Sequence, residues 1–189
     1  MSTVSIIGNG TMAKAIGGVA AAGGSTVEYL GREGGAVNGD VVVFAVPYPE
    51  VDAVIATYGE ALAGKIVVDI TNPVDFATFD GLAVPADSSA AAVIAGKLPA
   101  ATVLKAFNTN FGATLASGKV DQETTTVLIA GDDEAAKATL AGIVTAAGLK
   151  AVDAGSLKRA RELESLGFLQ ITLAAAERIS WTAGFALVA

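Results

Sequence analysis

Neither cysteine nor histidine occurs anywhere in the 189 residues. Disulfides, thiolate or imidazole metal ligation and Cys- or His-based catalysis are thereby excluded. Basic residues are scarce as well: 12 Lys+Arg stand against 19 Asp+Glu, a formal net charge of −7. No basic stripe is present, which argues against nucleic acid as a partner. Charged residues make up only 16% of the chain and hydrophobic ones 52%, an apolar balance that hints at a buried interface between copies of the chain. No basic segment precedes the first apolar run, so a signal peptide is not expected. Phe168–Ala189 is apolar but interrupted by Glu177 and Arg178, which predicts a buried helix rather than a membrane span. The expectation is a cytoplasmic protein with a substantial core, no resident metal and no membrane contact.

What the chain does have is a glycine turn in an informative place. Val4–Ile7 reads as a buried strand that breaks into Gly8-Asn9-Gly10-Thr11-Met12-Ala13, and Lys14–Ala22 reads as a helix. A strand entering a glycine turn that opens a helix presents free backbone N–H groups to a dinucleotide pyrophosphate. Gly8 permits the tight turn, Gly10 lets the backbone approach phosphate, and Ala13 stands where a third glycine is usual. Glycines serving an ordinary strand–turn–helix would give the same letters.

Thr26–Leu30 reads as the second strand, followed by Gly31-Arg32-Glu33. Enzymes selecting NAD place an acid about 20 residues beyond the glycine turn to bind ribose hydroxyls. Here that position is Gly31, without a side chain, and Arg32 follows. A guanidinium beside a gap fits a 2′-phosphate, so NADP(H) is expected rather than NAD. Two alternatives stay open: Glu33 as the ribose acceptor in another register, and Arg32 as a solvated loop charge.

The remaining chain continues as alternating strands and helices. Strands are expected at 40–46, 65–70, 101–107, 124–130 and 150–153, and helices at 50–58, 88–97 and 134–147, the last capped by Asp133. A final long helix would start at a Ser156 cap. Strands alternating with helices predict an α/β fold, a Rossmann-type doubly wound parallel sheet with a small C-terminal extension ending in a long helix. We expect a dinucleotide-binding core over 1–107 and, over 108–189, an extension completing the second-substrate site. Ligands on such sheets bind beyond the carboxyl ends of the strands. Those ends carry Gly8–Ala13, Gly31-Arg32, Ala45-Val46-Pro47, Asn72 and Asn108 to Gly112 with Asn110. The asparagines suit ribose hydroxyls or a carboxamide, and each is equally a common turn residue.

With these residues in view, the chain resembles the NADP oxidoreductases that depend on the deazaflavin coenzyme F420. It is also similar to the cytosolic NADPH-binding domain of the six-transmembrane ferric reductases. The resemblance rests on the glycine turn, Gly31-Arg32, Ala45-Val46-Pro47, Thr71-Asn72-Pro73, Lys105-Ala106-Phe107-Asn108-Thr109 and Ala130-Gly131-Asp132-Asp133. It continues through Asp153-Ala154-Gly155-Ser156-Leu157 and Ala160-Arg161-Glu162-Leu163-Glu164. It implies that Asn9 to Met12 hold the pyrophosphate and that Gly31 and Arg32 face the 2′-phosphate. Val46 and Asn72 would border ribose and nicotinamide. Asn108, Asn110 and Gly112 would lie where the second redox partner stacks, and the protein would be a homodimer. Asn108 and Ala36 depart from the histidine or basic residue and the lysine frequent in family members, and the chain is shorter around 75–100.

Hydride transfer between stacked rings needs orientation more than a side-chain acid or base, so no catalytic side chain is assigned. Coenzyme F420, FMN or FAD would be the second substrate. The one basic cluster, Lys158, Arg159 and Arg161, reads equally as a solvated first helical turn paired with Glu162 and Glu164. An NADPH-dependent reductase of a small carbonyl or imine, with Tyr48 or water as proton source, stays open. So does a non-catalytic NADP-binding sensor or subunit.

Overall fold

The structure, a computed structural model, describes residues 2–188. β1 (Thr3–Ile7) leads into α1 (Thr11–Ala22), β2 (Thr26–Leu30) and β3 (Val41–Phe44); α2 (Val51–Tyr58), β4 (Ile66–Asp69), α3 (Ala90–Lys97) and β5 (Thr102–Lys105) follow. The C-terminal part holds α4 (Gly112–Ser117), β6 (Lys119–Val120), β7 (Glu123–Thr124), β8 (Thr126–Ala130), α5 (Glu134–Ala146), β9 (Lys150–Gly155) and α6 (Ala160–Ala175). One sheet has the order β2-β1-β3-β4-β5-β8-β9, and β6-β7 form a separate small hairpin.

Burial follows from the strand period. All four residues of β3 are buried, as a β-branched run covered on both faces should be. Val4, Ile6, Val41 and Val43 pack against Ile16 and Val19 of α1 and Leu140 and Val144 of α5. On the opposite face Ile7, Val42 and Phe44 pack against Val51, Val54 and Tyr58 of α2 and Ile94 of α3. Each such side chain contributes about 1.5–3 kcal/mol of transfer free energy. Helices on both faces make the sheet doubly wound, as expected.

The sheet departs from the expectation in direction. β2, β1, β3, β4 and β5 are parallel. β8 then meets β5 antiparallel and only at their C-terminal ends, Lys105 opposite Ala130, while β8 and β9 are parallel to each other. The reason lies in the connection. Instead of a full crossover helix, the chain passes through the short α4 and the β6–β7 hairpin, neither of which the sequence pattern announced. β8 and β9 of the 108–189 stretch thus belong to the same sheet as the first strands.

Two further corrections concern the end of the chain. Ser156 makes no side-chain capping bond; a 3-10 turn, Leu157–Arg159, precedes α6. Phe168–Ala189 is not one helix. Glu177 adopts φ 56°, and backbone bonds from Glu177 N to Ala174 O and Arg178 N to Leu173 O close α6 in a left-handed stop. Trp181, Phe185 and Leu187 beyond it are exposed. No helix among the described residues is long and apolar enough to cross a membrane.

A charged cluster sits inside this apolar frame. Lys105 Nζ lies 2.7 Å from Asp69 Oδ2 and 2.8 Å from Glu164 Oε1, with all three side chains fully buried, and donates to Thr71 O at 2.5 Å. Asp69 Oδ1 accepts from Thr71 N, and Glu164 accepts from Ala90 N and Ala91 N at the start of α3. Burial pushes the Glu164 carboxyl above its ordinary value, with Lys105 pulling in the opposite direction. The expected pairing of Glu164 with Lys158, Arg159 or Arg161 is therefore wrong: it turns inward, and Arg159 pairs with Glu162 at 3.1 Å. Replacing Lys105 by Met strands two buried carboxylates, and we expect a loss of about 3–5 kcal/mol in urea unfolding. An unchanged midpoint would mean the cluster is not holding the strands.

Candidate nucleotide-binding site

The site is built where β1, β2 and β3 end. Gly8 has φ 127°, a conformation that glycine alone adopts without strain. Its N–H donates to Leu30 O at 3.0 Å, and Ala45 N donates to Ile7 O at 2.9 Å, so the three strand ends are tied side by side. A Cβ on Gly8 would fall 2.3 Å from Ala45 O. The turn thus depends on a residue with no side chain. Gly10 is different. It caps α1 in an extended conformation, and a Cβ there would meet nothing within 4 Å. No side chain caps α1 and no acid lies in its first turn, so its leading N–H groups and positive dipole end face outward.

A cleft of about 770 Å³ opens above this turn. Of the residues singled out by sequence, Gly8, Asn9, Gly10, Gly31, Arg32, Ala45, Val46 and Pro47 line it. Gly31 has open space where a Cβ would stand, and Arg32 is exposed, its Nη2 2.6 Å from Glu50 Oε1. Thr11 and Met12 form the first turn of α1, with Ala13 buried beneath it. Gly112 starts α4 against that same turn: its Cβ position lies 3.1 Å from Thr11 Cγ2 and 3.6 Å from Met12 Sδ.

The asparagines are placed otherwise. Asn72 Nδ2 donates to Asn108 O at 2.8 Å, and Asn108 Nδ2 donates to Asn72 Oδ1 and Leu163 O. Asn110 Nδ2 donates to Thr126 O. Asn108 and Asn110 are buried, and none of the three lines the cleft; their amide donors cross-brace β4, β5, β8 and α6. The α6 backbone comes so close that a Cβ on Gly167 would sit 2.4 Å from Asn72 Oδ1. Asn108 Oδ1 and Asn110 Oδ1 have no hydrogen-bond partner among the described residues.

Several lining residues escaped the sequence reading. Tyr58, buried on α2, donates its hydroxyl to Gly31 O at 2.6 Å and fixes the loop that carries Arg32. Its place in the series Val51, Val54, Tyr58 marks it as inward-facing but not as a loop anchor. Glu50 and Thr57 also line the cleft, and nothing in their spacing pointed there. Tyr48, the alternative proton source, is half-buried outside it, and burial raises its pKa.

A family model for coenzyme F420-dependent NADP oxidoreductases matches residues 27–73. The chain is 32% identical over 158 residues to the F420-dependent NADP reductase of Methanocaldococcus jannaschii, covering 79% of this chain and 70% of that protein. It is 35% identical over 131 residues to the metalloreductase STEAP3 of Rattus norvegicus. That match covers 69% of this chain and 26% of the rat protein, so the chain spans about a quarter of that relative's length. Among solved structures, a protein from Arthrobacter sp. FB24 described as an F420-dependent NADP-reductase superposes with a TM-score of 0.86 over 100% of both chains, at 25% identity. An imine reductase of Streptomyces aurantiacus shares the fold, at a TM-score of 0.64 and 16% identity over 93% of this chain and 63% of that one.

These relatives define the class as NADP-dependent oxidoreductases. Within it, the chain belongs to the coenzyme F420-dependent NADP oxidoreductase family.

The two glycines of the turn separate folding from binding. Gly8→Ala should unfold at clearly lower denaturant than wild type, because its Cβ meets backbone. Gly10→Ala should lose no more than about 1 kcal/mol of stability yet weaken dinucleotide binding by roughly tenfold or more, since a methyl would stand where phosphate approaches. Urea melts and NADPH fluorescence titration check both; tight NADPH binding by Gly10→Ala would contradict the placement.

Proposed function

We propose that the protein transfers a hydride between NADP(H) and a deazaflavin of the coenzyme F420 type, with FMN or FAD as the alternative acceptor. The observation that carries the dinucleotide half is a single cleft holding an uncapped helix N-terminus at one wall and Gly31-Arg32 at the other. The residues fit the group: Gly10 and Gly31 leave open space where Cβ atoms would stand, and phosphate oxygens need that access. The α1 N–H groups would take the pyrophosphate and Arg32 the 2′-phosphate. The deazaflavin half is supported by the relatives, the archaeal one being named for that coenzyme.

Bound NADPH would supply the hydride, and the acceptor would take it together with a proton from water. The chain's part is then to hold the two reactants in register and exclude side reactions, which requires no histidine or cysteine. Gly8 through Met12 would hold the phosphates. The Asn72–Asn108 pair braces β4 and β5 against α6, and Gly112 packs on the first turn of α1, so both would act by holding the frame of the site. Exposed Leu169, Trp181, Phe185 and Leu187 support a homodimer joined through α6 and the segment after it.

The test is oxidation of NADPH followed at 340 nm with coenzyme F420, FMN and FAD in parallel, repeated with NADH. We expect turnover with the deazaflavin and a strong preference for NADPH, and Arg32→Gln should cut that preference about tenfold or more. Turnover with flavin alone would make FMN or FAD the acceptor. NADPH binding without turnover on any of them would leave a carbonyl or imine reductase, or a sensor, in its place.

A further inference from the structure

Arg32, the residue best placed to meet a 2′-phosphate, is already engaged. Its guanidinium Nη2 lies 2.6 Å from Glu50 Oε1. The two side chains come from different segments of the lining: Arg32 from the loop after β2, and Glu50 from the turn that opens α2. Both line the cleft with the glycine turn. Glu50 is held where it is by its backbone. It closes the 3-10 turn Tyr48–Glu50, its N–H donates to Pro47 O at 2.9 Å, and Pro47 and Pro49 restrict the approach. The side chain is one-third exposed and caps no helix N–H, so Arg32 is its only charged partner among the described residues. The neighbouring acid Asp52 is paired elsewhere, with Lys97 at 2.5 Å.

We propose that Glu50 is a specificity-determining residue: a counter-ion latch within the cleft lining, which a ligand's 2′-phosphate must displace from Arg32. The proposal rests on the NADP(H) reading above. A phosphate near neutral pH carries a charge of about −1.5 to −2 and three acceptor oxygens, so it outcompetes one carboxylate for the guanidinium. An exposed ion pair is weak enough to be released. The displaced carboxylate then remains near the phosphate as a like charge. Glu50 therefore lowers the affinity for 2′-phosphorylated ligands and leaves 2′-hydroxyl ligands untouched, because those can bind with the pair intact. The latch sets how far NADP(H) is preferred and how readily it is released.

The experiment is calorimetric titration of adenosine 2′,5′-bisphosphate and of 5′-AMP into wild type, Glu50→Gln and Arg32→Gln, at low and high salt. Thermal melts would verify that both exposed substitutions leave the fold intact. We expect Glu50→Gln to bind the bisphosphate about three- to tenfold more tightly at low salt, with the gain shrinking as salt screens the pair. Its affinity for 5′-AMP should stay within about twofold of wild type. If Arg32→Gln weakens the bisphosphate while Glu50→Gln leaves it unchanged or weaker, the latch is overturned and the NADP(H) reading stands. If Arg32→Gln binds the bisphosphate as wild type does, the 2′-phosphate reading fails and the latch fails with it.

Discussion

A lysine with no access to water holds the C-terminal ends of β4 and β5 together, and much of the second half of the chain is arranged around it. Lys105 carries one positive charge between Asp69 and Glu164. The carboxyl oxygens also accept from the N–H groups of Thr71, Ala90 and Ala91, the last two at the positive end of α3. Such a cluster stabilises a fold only when every member is satisfied, and this one recruits two sheet strands and two helices to satisfy it. Glu164 brings α6 onto the sheet. One turn along the same helix, the missing side chain of Gly167 lets the backbone close on Asn72. The Asn72–Asn108 brace beside the site is therefore held by the same contact that anchors α6.

The other end of the cleft depends on an absence. Gly8 admits the Ala45 carbonyl at a distance no side chain would allow, so β1 and β3 can end side by side. Gly10 and Gly31 keep the space above it free, and Tyr58 anchors the loop that carries Arg32. Packing within the folded chain requires glycine at Gly8, whereas a Cβ at Gly10 would meet nothing within 4 Å.

The segments that line the cleft over β1, β2 and β3 could be read from the sequence because they are local. The glycine turn, the strand before it and Gly31-Arg32 after the next strand lie in short, periodic stretches whose geometry the letters dictate. The strands and helices of the core were legible for the same reason, with α1 starting at Thr11 rather than Lys14. What could not be read is long-range. A lysine within the apolar run Ala101–Phe107 signals a buried partner, but which carboxylate meets it depends on tertiary packing, and the sequence alone puts Glu164 in a surface cluster. The antiparallel join of β5 and β8 has a similar origin: single bridge pairs leave no periodic trace. The asparagines at the strand ends were expected to face ligand. The structure turns their donors to protein carbonyls instead, because α6 and β8 cover them.

The central claim is that the cleft over β1, β2 and β3 is an NADP(H) site with the 2′-phosphate on Arg32. A crystal structure of the protein with NADP+ tests it most directly. The account predicts the pyrophosphate against the first-turn N–H groups of α1 and the 2′-phosphate within hydrogen-bond distance of the Arg32 guanidinium, with Glu50 released. A dinucleotide bound elsewhere, or one whose 2′-phosphate faces solvent while Arg32 stays on Glu50, would contradict it.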